Sequence, residues 1–239
     1  MTYFKENVES FAERLIKLVL PSFRSHFSLA GGVFKSLHSK KKIRDLDFWP
    51  HSEADRKLLI TELIANGAEI EQETLFNTLL RLKIEGCDTV IDLFGNAPII
   101  KIEVTKKCRS TLKDCLEDFD LVLSCVGVEF ADNKLIGSFV NDLVFEDITA
   151  RQISLIPDWK MHKYNLISLS RLIKYSKELD YSVAESARER ICNRFSNADV
   201  YEREELLKNA EISHEEFEML LKKCRIYSDN SQGSTVRNS

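Results

Sequence analysis

Between Ser28 and Trp49 the chain reads SLAGGVFKSLHSKKKIRDLDFW, and no other stretch limits the available folds so strongly. Gly31 and Gly32 carry no Cβ, so the backbone can turn sharply there and a ligand can approach its amides closely. Val33 to Leu37 reads as a short helix, whose N-terminus offers free N–H groups and partial positive charge to a phosphate. Ile43 to Trp49 then alternates as a strand, with Leu46 and Phe48 on one face and Asp45 and Asp47 on the other. Two neighbouring carboxylates repel unless a cation lies between them. Hard divalent ions take oxygen ligands and keep positions for water and phosphate. The stretch therefore reads as a phosphate cradle beside a metal site.

At 239 residues the chain is long enough for one large domain or two small ones. Its formal charge of −4 argues against a broad polyanion-binding surface, but Lys40, Lys41, Lys42 and Arg44 crowd directly before the aspartates. The six cysteines show no Cys-x-x-Cys spacing and read as small buried hydrophobes in a reducing compartment. No apolar run approaches the ~20 residues that would span a bilayer. The N-terminal segment lacks the apolar core of a secretion signal. A cytoplasmic location without membrane attachment is the expectation.

Along the chain, Lys5 to Leu20 has helical apolar spacing and ends at Pro21; Ala54 to Asn66 is a second helix stopped by Gly67. Asn77 to Ile84 and Thr89 to Phe94 read as a strand pair, and the second places Asp92 between apolar Val90 and Phe94 on one face. The segment Lys101 to Val104 suits either a short strand or a loop. A long strand is expected from Phe119, a helix capped by Asn141 runs through Ile148, and Gln152 to Ile156 suits a last short strand. From Pro157 the pattern is helical. Leu166, Leu169, Leu172, Ile173 and Leu179 share one arc of a wheel, with Lys163, Arg171 and Lys174 opposite. Ser213 and Glu216 form a capping box.

The expected fold class is α+β: a small mixed or antiparallel sheet flanked by helices in residues 1–156, then a helical domain in 157–228. The polar tail, 229–239, is expected to be disordered.

A hydrophobic-Gly-Gly motif, a spacer and Asp-hydrophobic-Asp-hydrophobic resemble the signature of the DNA polymerase β-like nucleotidyltransferases. The order of elements is similar to the head and neck of the tRNA nucleotidyltransferase/poly(A) polymerase branch. Phe119-Asp120-Leu121-Val122 falls where that branch carries an Arg-Asp-Phe-Thr-type motif, and RLIKYSKELDYS resembles the Arg-x-x-Lys-Tyr segment of small phage and bacterial relatives.

The resemblance implies transfer of a nucleoside monophosphate from an NTP to a hydroxyl, with release of pyrophosphate. It implies Asp45, Asp47 and Asp92 as catalytic carboxylates holding two Mg²⁺ ions, with Mn²⁺ as a substitute. Ser28, Gly31, Gly32, Lys35, Asp120, Arg171 and Lys174 would bind the nucleotide. An RNA 3′ end, tRNA-like, is the favoured acceptor; a small-molecule or protein hydroxyl, and a non-catalytic nucleotide- or RNA-binding module, are the alternatives.

Overall fold

The computed structural model describes residues 2–39, 41–84, 93–95, 99–156, 165–187, 189, 197–210, 213–216 and 219. Its contacts divide the chain into two compact units, Met1–Ile148 and Thr149–Ser239.

In the first unit, Thr2–Val19 forms helix α1 and Phe27–Ala30 strand β1, after which a 3-10 turn at Gly32–Lys35 runs into α2, Ser36–Ser39. Asp45–Pro50 is β2, Glu53–Ala65 is α3, and Ala68–Glu73, Asn77–Lys83 and Ile99–Thr105 are β3, β4 and β5. Helix α4, Leu112–Leu116, and a 3-10 turn at Val122–Ser124 lead to β6, Val126–Ala131, β7, Lys134–Val140, and α5, Asp142–Ala150. The strands form one seven-stranded sheet in the order β3-β4-β5-β2-β1-β6-β7, which makes β2 the middle strand. Among the described residues of this sheet only β2 and β5 run parallel; the other neighbouring pairs are antiparallel.

The period-two pattern of β2 explains its central place. Leu46 and Phe48 are fully buried, while Asp45, Asp47 and Trp49 on the other face are half-buried. Phe27 packs against Phe48 at 5.2 Å between ring centres, Phe130 at 5.5 Å and Phe23 at 5.2 Å. These tilted aromatic contacts join β1, β2 and β6 on the core face. Helix α1 lies over β6 and β7 and buries Val8, Ala12, Leu15 and Val19. Helix α3 buries Leu59 and Leu63, and Ser52 caps it by accepting from the Asp55 amide at 3.0 Å.

Several expectations are corrected. Lys101 to Val104, open between strand and loop in the sequence, belongs to a strand, β5, which together with β3 flanks β4. Residues 89–92 lie outside the described residues, and Leu93 and Phe94 are helical. Strand β3 escapes pattern reading because, at the sheet edge, only its Ala68 is buried. The strand expected from Phe119 begins only at Val126: a single bridge at Leu121 and the 3-10 turn precede it. Among the described residues, Cys115 and Cys125 are buried free thiols, and burial pushes the Cys125 thiol up to about 12.

In the second unit a two-residue strand β8, Gln152–Ile153, pairs in parallel with β9, Ser182–Val183, across helix α6, Asn165–Leu179; Val200–Ala210 forms α7, packed on α6. With the contacts dividing the chain after Ile148, β8 falls in this unit together with its partner β9. Leu172, Ile173 and Leu179 are buried on α6, as the wheel predicts; the side chains of Leu166 and Leu169 lie outside those described. The capping box is present, with the Glu216 amide donating to Ser213 Oγ at 3.1 Å and the Ser213 amide to Glu216 Oε2 at 2.8 Å. Among the described residues no helix is long and apolar enough to cross a membrane.

Candidate active site

The site lies on the face of the sheet opposite the aromatic core. Strand β1 ends at Ala30, and Gly31 turns the chain with φ +90°, in the left-handed region that favours glycine. Its amide donates to the Val126 carbonyl at 3.1 Å and its carbonyl accepts from Phe34 at 3.2 Å. A Cβ at Gly31 would lie 2.8 Å from Phe119 Cε1 and 3.6 Å from Asp47 Oδ2. The Gly-Gly turn and the second aspartate, read in the sequence as neighbouring parts of one site, thus lie close together across β1 and β2.

The parallel register of β2 and β5 adds a third carboxylate. Asp47 is paired with Glu103, and Asp45 with Lys101, so all four side chains share the site face. Asn77 Nδ2 donates to Glu103 Oε2 at 2.8 Å. Burial, then the charge of Asp45, raises the Glu103 carboxyl above its ordinary range. Glu103 escapes sequence reading. Its one signal is the alternation Lys101-Ile102-Glu103-Val104, too short to separate strand from loop.

The raised Glu103 predicts a stability effect. An acid whose folded pKa exceeds its unfolded value contributes stability that is present at low pH and lost as pH rises through the folded pKa. Glu103 is therefore a cost at neutral pH. Glu103→Gln should melt higher than the parent at pH 7 in EDTA, with the gap closing towards pH 4; thermal melts across that range check it.

The remaining candidates are distributed as follows. Asp92 lies outside the described residues. Ser28 is fully buried, with Oγ 3.2 Å from His51 Nε2, itself 3.7 Å from Glu129; its hydroxyl thus meets an imidazole rather than solvent. Gly32 and the buried Lys35 open and close the 3-10 turn. Asp120 is buried, directly after Phe119 and before the second 3-10 turn, which contacts the first. Arg171 and Lys174 are half-buried on α6 in the second unit.

Phe119 packs 5.6 Å from the Trp49 ring, so an aromatic wall stands beside Gly31 and Asp47. A separate polar cleft of about 410 Å³ opens beyond the far end of β2, lined by His51, Cys108, Arg109 and Asp118 among others.

Could this face hold a metal ion? The donors are carboxylate oxygens, the chemistry that hard divalent cations require. A bound cation would relieve the mutual repulsion of Asp45 and Glu103. Among the described residues no three His, Cys, Asp or Glu side chains already converge on one point. The set fits such an ion in kind and in placement on one face.

No family model matches the chain, and no curated protein does. Solved structures do. A tRNA-processing enzyme in an apo form superposes with a TM-score of 0.57 at 17% identity, over 98% of this chain and 60% of that one. A tRNA nucleotidyltransferase complexed with a primer tRNA and an incoming ATP analog gives 0.57 at 15%, over 92% and 60%. The Thermotoga maritima CCA-adding enzyme complexed with tRNA gives 0.54 at 13%, over 87% and 46%. The chain thus spans about 60% of the length of the first two. At these identities the likeness is one of fold.

Proposed function

From the fold it shares with the tRNA nucleotidyltransferases, we propose that this chain transfers a nucleoside monophosphate from an NTP to a hydroxyl acceptor. One observation carries the reading: Asp45 and Asp47 on the middle strand, Glu103 register-paired with Asp47, and Gly31 against the Asp47 carboxylate. The neighbours crystallised with tRNA and an ATP analog favour an RNA 3′ end as acceptor.

In this reaction the acceptor oxygen bonds to the α-phosphorus, and the bond from that phosphorus to the bridging oxygen of the β-phosphate breaks. Pyrophosphate leaves, and the acceptor proton passes to solvent. Asp45, Asp47 and Glu103 would hold divalent cations, Mg²⁺ or Mn²⁺, whose chemistry is to neutralise phosphate charge and acidify the acceptor hydroxyl. Asp92 is a further candidate for the same set.

The chain's own groups position the reactants. The missing Cβ of Gly31 lets the Phe119 ring close against the turn, and with the Gly31 amide committed to Val126, the next amides, of Gly32 and Val33, are the candidates to hold a phosphate. Asp120, buried just before the adjoining turn, would hold the ribose. Positioning and electrostatics supply most of the rate enhancement in such chemistry.

The test is incubation with each α-³²P-labelled NTP and Mg²⁺, offering total RNA, a small-molecule extract and the protein itself as acceptors. Label should enter one acceptor class and be lost in Asp45→Ala. NTP binding without transfer into any of them would replace the enzyme by a nucleotide-binding module.

A further inference from the structure

On the site face, β2 has two unlike flanks. Strand β1 brings the Gly31–Gly32 turn to one side of the aspartates, and β5 brings Lys101 to the other, register-paired with Asp45. One strand further out, Arg81 pairs in register with Lys101, and Lys83 with Ile99. Arg81 is committed to an ion pair with Glu71. Lys101 is exposed and its ammonium makes no ion pair or hydrogen bond with the described residues, although its charge reaches Glu103 and Glu71. Exposed Lys41, Lys42 and Arg44 enter β2 at the same end.

An ammonium beside two carboxylates weakens their hold on a cation unless an anion occupies that flank. In-line transfer says which anion. The attacking and leaving oxygens stand on opposite sides of the α-phosphorus. With the triphosphate at the Gly-Gly turn, on the β1 flank, the acceptor approaches from the β5 flank, where Lys101 stands.

We propose that Lys101 is a positioning residue that binds a backbone phosphate of the acceptor, and so selects the 3′-hydroxyl end of an oligonucleotide strand over an uncharged or cationic acceptor. The inference rests on the nucleotidyl-transfer reading. A lysine serves as a point charge for phosphate, and an arginine can replace it there without loss of charge.

The experiment uses the full chain and a short fluorescein-labelled oligoribonucleotide with a free 3′-hydroxyl, followed by anisotropy. Lys101→Gln should weaken strand binding about tenfold and Lys101→Glu more, with Lys101→Arg close to the parent. The slope of log affinity against log salt should fall by about one in Lys101→Gln. Binding of labelled ATP with Mg²⁺ should be unchanged, and in turnover the effect should appear in KM for the oligonucleotide rather than in kcat.

Strand affinity unchanged in Lys101→Glu, or ATP binding lost in parallel, overturns the assignment. If the parent protein transfers label and the variants do so with unchanged oligonucleotide KM, the inference fails alone. If the parent transfers no label from any NTP, the nucleotidyl-transfer reading fails and takes the positioning role with it.

Discussion

Asp47→Asn should lower nucleotidyl transfer by at least about a thousandfold while leaving the fold intact. The expected loss is large because the side chain stands at the meeting point of the site. It is register-paired with Glu103 on β5, and its Oδ2 lies 3.6 Å from where a Gly31 Cβ would be. Removing one preorganised charge from such a centre costs about 10²–10³ in rate, and loss of a bound cation with it costs more. The strand is anchored from its other face. Leu46 and Phe48, on the opposite face of β2, are fully buried and bind the strand into the core.

In EDTA, Asp47→Asn should therefore melt at or slightly above the parent temperature, because a source of repulsion on a crowded acidic face is gone. With Mg²⁺ the order should reverse, since an ion that binds the folded parent raises its stability by mass action. Paired thermal melts and single-turnover transfer assays measure both. A variant that melts far below the parent without metal would make Asp47 a structural residue, and the proposed site would lose its centre.

Gly31→Ala should damage stability and transfer together. A side chain at φ +90° is strained wherever it stands, and here the new methyl would meet Phe119 Cε1 at 2.8 Å. Phe119 has little room to yield, being buried against the Trp49 ring. The cost is about 1–3 kcal/mol for the backbone conformation, with a further loss if the aromatic wall shifts. A fall of several degrees in the melting temperature of the first unit is the expected readout.

The same methyl, 3.6 Å from Asp47 Oδ2 and in collision with Phe119, would displace the turn whose Gly32 and Val33 amides are proposed to hold the phosphate. KM for the NTP should therefore rise more than the stability change alone would explain. A Gly31→Ala protein with parental melting and parental NTP binding would remove the phosphate cradle from the reading.

The two variants probe features that differ in how they could be read. Alternation at Asp45–Pro50 and the caps at Ser213 and Asn141 depend on residues a few positions apart, and the structure bears them out: Glu216 donates to Ser213, and Leu143 to Asn141 Oδ1 at 3.0 Å. The boundaries of α1 and α3 follow the same local rules, ending near Pro21 and Gly67. Strand β3 defeats those rules because it buries almost nothing, and Phe119–Cys125 defeats them because an apolar run carries no period that separates a 3-10 turn from a strand.

What the sequence determined by itself is therefore the inventory of local devices: a Gly-Gly turn, two aspartates on one face of a strand, and helices with apolar arcs. Each arises from steric and hydrogen-bonding preferences within one or two turns of chain. Which of these devices meet was decided only by the tertiary structure. The parallel pairing of β2 with β5 brings Glu103 beside Asp47 and Lys101 beside Asp45, and the path from Leu116 to Val126 sets Phe119 over Gly31. Strand partner and register are chosen by burying a shared apolar face across distant parts of the chain, here Leu46 beside Ile102 and Phe48 beside Val104. The charged residues on the other face are carried into place by that choice.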